Sequence, residues 1–422
     1  MQSFTRLGGR LHCEGVALDT LAEAAGTPAY VYSATAIREQ YQRLDAALSP
    51  VPHRIHYACK ANASLGLLAL LRGLGSRIDV VSGGELFRAR AAGFAPEDII
   101  FGGVGKSPHE LREAIEAEVH VISVESETEL RQLDQLAAEC GRVARVGIRV
   151  NPEVTVETFH EYIKTGEKGG KFGVPFDDAH TVARVASTLS HVRLVAIGMH
   201  IGSQLTDLAA YRDGIARLEG LIEALRAEGV STLEFVDIGG GLYVPYGEEA
   251  PADLASYTAI VIPAVQRLGL TLIVEPGRFL VAESGALLAR VLYRKRSGGR
   301  DILVTDAGMN DLLRPSHYDA YHRIEAVHAV PGRGRFDVVG PVCESGDFLA
   351  LDRELEDVAP GALLCVFTAG AYGMCMASNY NARPRAIEVL VDGSRWAVIA
   401  ARETYEDLVR RESLEPTWRN AR

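Results

Sequence analysis

At 422 residues the chain exceeds an ordinary single domain, so two domains are expected. Its 47% hydrophobic and 23% charged residues suit a globular protein with a sizeable core, while a formal net charge of −11 argues against nucleic-acid phosphates as partners. No apolar run reaches the ~20 residues that span a bilayer, so no membrane partner is expected. Cys13, Cys59, Cys140, Cys343, Cys365 and Cys375 show no CxxC spacing, HExxH is absent, and the histidines lack metal-ligand spacing. Neither a disulfide framework nor a metal centre is expected.

The opening MQSFTRLGGRLHCEG lacks the apolar core of a secretory signal, which predicts a cytoplasmic protein. Apolar, β-branched runs then recur around residues 54–60, 78–82, 99–103, 119–124, 145–151, 193–200, 233–239 and 271–275. Amphipathic stretches such as HELREAIEA and LAAYRDGIARLEGLIEALRAEG separate them. Eight strands alternating with helices predict a (β/α)₈ TIM barrel over residues 29–280, since a doubly wound sheet rarely needs eight such units. Beyond residue 280 the texture changes to β-runs with glycine-rich punctuation, as in GRFDVVGPV and AIEVLVDGSRWAVIA. That predicts an antiparallel β domain over residues 281–422, with residues 1–28 as candidates to join it.

Barrel chemistry gathers at the C-terminal ends of the strands. There the chain places Lys60, then VVSGGE, FGGVGKS, Arg149 and Asn151, MHIGSQ, DIGGGL and VEPGRF. Singly, each has an ordinary reading. A strand-end lysine is usually a solvated rim residue, Gly239–Gly241 a tight turn, His200 a satisfied core histidine, and Glu275 a capping or ion-paired carboxylate. Their joint placement points to a ligand. GGVGKS looks like a nucleotide loop, but that motif needs glycine where Ile100 stands, and Pro108 follows directly.

Pyridoxal 5'-phosphate asks for a different set: an amine, a backbone cradle for its phosphate, and a partner for its ring nitrogen. Of the six lysines (Lys60, Lys106, Lys164, Lys168, Lys171, Lys295), Lys60 alone directly ends a barrel strand. Gly239, Gly240 and Gly241 permit close backbone approach, and Ser203 offers a hydroxyl. Glu275 is placed to face the ring nitrogen and His200 to stack on the ring. A carboxylate there keeps the nitrogen protonated, which favours carbanion chemistry.

The phrases YACKAN, VVSGGEL, HIGSQ, DIGGGL, EPGR, DAGMNDLLRPSHYDAYH, VGPVCESGD and AGAYGMCMASNYNARPR, in order along nearly the whole chain, resemble the diaminopimelate decarboxylases. These are pyridoxal-phosphate enzymes with an alanine-racemase-like barrel and a β domain. The resemblance implies Lys60 as the Schiff-base lysine, His200 as the stacking residue, and Glu275 as the pyridine partner. It implies Ser203, Gly239, Gly240, Gly241 and the backbone of Glu275, Pro276, Gly277 and Arg278 as the phosphate cradle. Arg278, Arg314 and Tyr318 resemble substrate-binding residues, Cys343 the proton donor, and Glu344 a further substrate ligand. Tyr372 would contact both cofactor and substrate. Cys343 and Glu344 would come from a second subunit, so a homodimer with shared active sites is implied. Two positions depart from the usual pattern: Gly198, where many members carry histidine, and Thr368, where aspartate often precedes AGAYG.

The implied reaction is decarboxylation of meso-2,6-diaminopimelate at its D-centre to L-lysine and carbon dioxide, the last step of lysine biosynthesis. The distal end of that substrate is an intact amino acid, which calls for arginine and carboxylate together. Arg278, Arg314 and Glu344 supply that mixture, although surface ion pairing is the commoner use of such arginines. The alternatives are another decarboxylase of this fold, acting on ornithine, arginine or carboxynorspermidine, and a non-catalytic pyridoxal-phosphate-binding regulator.

Overall fold

The computed structural model describes residues 3–154 and 169–419. They form two compact units, one built from Ser33–Gly285 and Gly370–Cys375, the other from Phe4–Tyr32, Ala286–Ala369 and the chain from Met376 onward. Lys164 and Lys168 lie outside the described residues.

The first unit is a closed parallel barrel, whose strands are numbered here β1 (His53–Ala58), β2 (Arg77–Val80), β3 (Ile99–Phe101), β4 (Val121–Val124), β5 (Ala144–Asn151), β6 (Val192–Met199), β7 (Phe235–Asp237) and β8 (Thr271–Val274). β8 pairs with β1 through Leu272 opposite His53, and β4 with β5 through Ile122 opposite Val146, which closes the ring. Ile100, Val121, Val195, Ala196, Phe235 and Ile273, from five of the strands, form one buried cluster. At the N-terminal side of the strands, Arg54 stacks 4.7 Å over the Phe235 ring and Arg145 pairs with Glu234 at 2.7 Å.

Three successive strand-to-helix connections use one local device. Ser82, Ser107 and Ser126 each accept the N–H of a glutamate three residues on (Glu85, Glu110, Glu129), satisfying an orphan donor of the following helix. Glu110 returns the bond to Ser107 N–H, and Pro108 opens that helix where no intrahelical donor is needed. These caps fix where each helix starts and so where each strand ends.

The second unit is built on a nine-stranded sheet. Its central path runs Phe348–Glu356, Arg333–Val339, Arg300–Thr305, Gly285–Ser297, Ala29–Ser33, Ile387–Asp392 and Arg395–Ala400. Arg300–Thr305 pairs antiparallel with Gly285–Ser297 but parallel with Arg333–Val339, so the sheet is mixed. A three-stranded sheet of Phe4–Leu7, Arg10–Cys13 and Val16–Ala17 belongs to the same unit. Its Phe4, Leu11 and Cys13 share one core cluster with Ala286, Leu288, Cys365 and Val389. No described helix is long and apolar enough to cross a membrane.

Candidate active site

β1 runs out at Ala58, and a 3₁₀ turn over Cys59–Ala61 carries Lys60 past the strand end. Lys60 Nζ donates to Asp79 Oδ2 on β2 at 2.8 Å. Asp79 is buried at 2% exposure, so the pair is formed on a dry carboxylate. Burial works against the ammonium, but Asp79, Glu275 and Tyr372 outweigh it and hold the amine above its ordinary range.

His200 follows β6. Burial first, then the positive charges of Arg149 and Lys60, push its imidazole well below the ordinary histidine range, so the ring is neutral at pH 7. Its Nδ1 accepts the Gly240 N–H at 3.2 Å, which leaves the proton on Nε2. Arg149 on β5 is itself matched by Glu125 at 3.0 Å.

The Gly239–Gly241 run after β7 is glycine for steric reasons. Gly239 and Gly241 have φ of 68° and 105°, and a Cβ on Gly240 would overlap the Glu275 carbonyl oxygen. Gly239 donates to Asp237 Oδ1 at 2.8 Å and Gly240 to His200, so two amides of this run are already spent within the protein. The Gly241 N–H has no backbone partner among the described residues.

The end of β8 is bound to this turn, since Glu275 N–H donates to Gly239 O at 2.8 Å. The Glu275 carboxyl is buried beside that of Asp237. Burial, with Asp237 and Asp79 adding to it, raises Glu275 well above the carboxylate range, and burial pushes Asp237 up to about 7. Pro276 accepts the Ala58 N–H at 3.1 Å, and a Cβ on Gly277 would stand 3.0 Å from Ala61 Cβ. Arg278 donates to Tyr246 Oη at 2.6 Å and to Ser203 Oγ at 3.3 Å, with its guanidinium 4.7 Å from the Tyr372 ring centre. Tyr372 adopts φ 56° and donates its N–H to Ala61 O at 2.8 Å.

Lys60, His200, Ser203, Gly241, Glu275, Pro276, Gly277, Arg278 and Tyr372 thus line one cleft of about 410 Å³. Gly239 and Gly240 stand directly behind it. The remaining nominated residues lie in the second unit. There Arg314 is buried and donates to His322 Nε2 at 3.3 Å, and Tyr318 ends the same short helix, Arg314–Tyr318. Cys343 and Glu344 are exposed on a loop anchored by Asp347, which accepts N–H bonds from Val342 at 2.5 Å and Met309 at 2.6 Å. The neighbouring Glu344 carboxylate raises the Tyr380 hydroxyl above its ordinary range.

Sequence reasoning passed over Asp79, Asp237 and Tyr246. Asp237 opens the DIGGG phrase and Asp79 lies inside an apolar strand, an unusual place for an unpaired carboxylate. Tyr246 carried no signal. Gly198 now has a steric reason: a Cβ there would stand 2.8 Å from Asp237 Cβ. Thr368 has φ 55°, a backbone region unusual for a β-branched residue. Lys106 is wholly enclosed, donating to Gly103 O and Ser123 O and pairing with Glu129 at 2.8 Å, so GGVGKS builds structure.

One reachable amine, a shelf where any side chain would collide, a carboxyl pair and a neutral imidazole fit an aldehyde-bearing, phosphorylated aromatic ring. A family model described as the pyridoxal-binding domain of pyridoxal-dependent decarboxylases matches residues 34–282. The diaminopimelate decarboxylase of Pseudomonas aeruginosa is 46% identical over 419 residues, covering 99% of this chain and 100% of its own. Among solved structures, the Helicobacter pylori diaminopimelate decarboxylase complexed with L-lysine is 39% identical, with a TM-score of 0.90 over 93% of this chain and 98% of its own. The M. jannaschii enzyme in co-complex with L-lysine is 35% identical, with a TM-score of 0.93 over 99% of both chains.

Proposed function

The chain belongs to the diaminopimelate decarboxylases, within the pyridoxal-dependent decarboxylase family, and from that premise we propose that it converts meso-2,6-diaminopimelate to L-lysine and carbon dioxide. The observation that carries the reading is Lys60 at the β1 end, facing Asp79 and sharing one cleft with Glu275, His200 and Arg278. Pyridoxal 5'-phosphate, when bound, supplies an aldehyde for an amine and a conjugated ring that draws electrons from a bond at Cα.

Lys60 provides the amine that holds the cofactor, and Asp79 governs its proton. Ser203, the Gly239–Gly241 turn and the backbone of Pro276, Gly277 and Arg278 form the phosphate shelf. Glu275 would hold the ring nitrogen, and neutral His200 would pack on the ring without adding a competing charge. Arg278, Arg314 and Glu344 hold the distal amino-acid end of the substrate, with Tyr318 and Tyr372 positioning it. Cys343 returns a proton to Cα, a task suited to a thiol whose ordinary pKa of ~8.5 lies near working pH. We place Cys343 and Glu344 on the partner subunit of a homodimer, for which their exposure in the single chain leaves them available. Cytoplasmic lysine biosynthesis, at its last step, is the corresponding cellular setting.

Incubating the purified protein with meso-diaminopimelate and pyridoxal 5'-phosphate, and scoring carbon dioxide and L-lysine, tests the reading. Stoichiometric release of both is expected. Turnover of ornithine or arginine in preference would overturn the substrate, and binding of the cofactor without any turnover would overturn the reaction.

A further inference from the structure

Asp237 is not among the residues that the sequence nominated, yet it touches two of the elements that the site depends on. Its Oδ1 accepts the Gly239 N–H at 2.8 Å, which holds the first residue of the glycine turn. Its carboxyl also stands beside that of Glu275, buried with it, and each raises or lowers the other's hold on a proton. Two carboxyls buried side by side cannot both stay ionised without cost, so the pair holds a proton. The neighbouring strand is shaped to admit it: at Gly198 on β6 any side chain would press on Asp237 Cβ at 2.8 Å.

The charges around the pair define what it can bind. Lys60 and Asp79 face it from β1 and β2, Arg149 from β5, neutral His200 from β6, and Tyr257 from the helix Leu254–Leu268. Lys60 is matched by Asp79 and Arg149 by Glu125. A pair with one proton keeps a single negative charge that these groups leave for a ligand to neutralise. The protonated ring nitrogen of a bound pyridoxal phosphate is such a ligand.

We infer that Asp237 is a positioning residue which, by sharing a proton with Glu275, sets the charge that Glu275 presents to the cofactor's ring nitrogen. The inference rests on the functional reading above and deepens it at one atom. With both carboxyls protonated the pair is neutral and must release a proton to meet a cationic ring; with one proton it is already matched. Cofactor affinity therefore depends on pH through Asp237, and burial of that carboxyl places the change near pH 7.

The test is equilibrium dialysis of the full-length protein and of its Asp237→Asn and Asp237→Ala variants against pyridoxal 5'-phosphate, from pH 5.5 to 9. Asn keeps an acceptor for Gly239 N–H and a donor for Glu275 but removes Asp237's own titration, leaving Glu275 as the one titrating carboxyl of the pair. Titration of the free cofactor and of Lys60 is common to all three proteins and cancels in the ratio of affinities. The wild-type to Asn ratio should climb by up to about tenfold per pH unit toward pH 7 and level off above it. Asp237→Ala, which loses the turn as well, should bind more weakly than Asn at every pH. A ratio that stays constant with pH would overturn the proton-sharing role and leave Asp237 a holder of the turn. Absence of binding by the wild-type protein at every pH would instead overturn the functional reading, and this inference with it.

Discussion

Lys60 after β1 and Lys106 after β3 both stand just past the C-terminal end of a barrel strand, in stretches of similar polarity. Lys106 is 0% exposed at its side chain and spends its ammonium on two backbone carbonyls and Glu129. Lys60 is 39% exposed at its side chain and, among the described residues, donates to Asp79, with the amine lining the cleft. An ammonium has three donors. When the protein satisfies all of them the lysine is structure; when it satisfies one, the amine is held but remains reachable.

Exchanging the fates of these two lysines gives the largest effects. Lys60→Ala should lower carbon dioxide release by at least about 10³-fold and abolish borohydride-stable attachment of the cofactor. Attachment that persists in this variant would move the amine to another lysine. The β1 end can also be tested for its dependence on a second copy. Mixing Lys60→Ala with Cys343→Ala and allowing subunits to exchange makes about half of the dimers mixed, each with one intact site if sites are shared. Activity should then recover to roughly a quarter of wild type, whereas a site built within one chain stays silent.

Lys106→Met should act on stability instead. Leaving Glu129 without its buried cation costs about 3 kcal/mol, read as a drop in thermal midpoint of several degrees. The surviving folded protein should retain its cofactor and its turnover per site. A full loss of cofactor at unchanged stability would erase the contrast between the two lysines.

Smaller effects refine the reachable side of the comparison. Arg278→Ala removes a charged partner of the substrate carboxylate and should lower kcat/KM by about 1.5–3 kcal/mol, or roughly 10- to 150-fold. Asp79→Asn bears on the proton of Lys60. Asp79 raises the amine's hold on that proton, so its contribution to stability is complete below the free-lysine value of ~10.4 and fades only as pH rises through the higher folded value. Removing it lowers the folded value, leaves more neutral amine at pH 8, and should speed capture of pyridoxal phosphate there. Stopped-flow absorbance would show it, and slower capture would mean that Asp79 aligns the amine more than it charges it.

The eight barrel strands were legible because β-branched runs broken by glycine and proline carry that information locally. Strand direction in the second sheet was not: alternation shows which face is buried, not whether Arg333–Val339 runs with or against Arg300–Thr305. Ala29–Ser33, a buried strand of the second sheet, falls inside the range that the sequence assigned to the barrel, because nothing in so short a run names its sheet. For the site, Lys60, His200 and Glu275 were singled out by position at strand ends. Asp237 and Asp79 were missed because their significance is a partner carboxyl or amine on a different strand, a separation that spacing along the chain does not express. The resemblance added Arg314, Tyr318, Cys343, Glu344 and Tyr372, and the role of Arg278, none of which the strand-end rule supplied.

Gly370–Cys375 joins the barrel unit from far along the chain. Asn62 Nδ2 donates to Gly370 O across a separation of 308 residues, Gly370 N–H donates to Ala282 O, and Tyr372 N–H closes on Ala61 O. At ribosomal rates of about 5–20 residues per second, the segment that completes the Lys60 turn emerges roughly 15–60 s after that turn itself. For that interval a nascent barrel carries its amine strand end without Tyr372. Cofactor capture during synthesis thus waits on the late segment, and a chain interrupted before residue 370 would expose an unfinished cleft to chaperones and proteases.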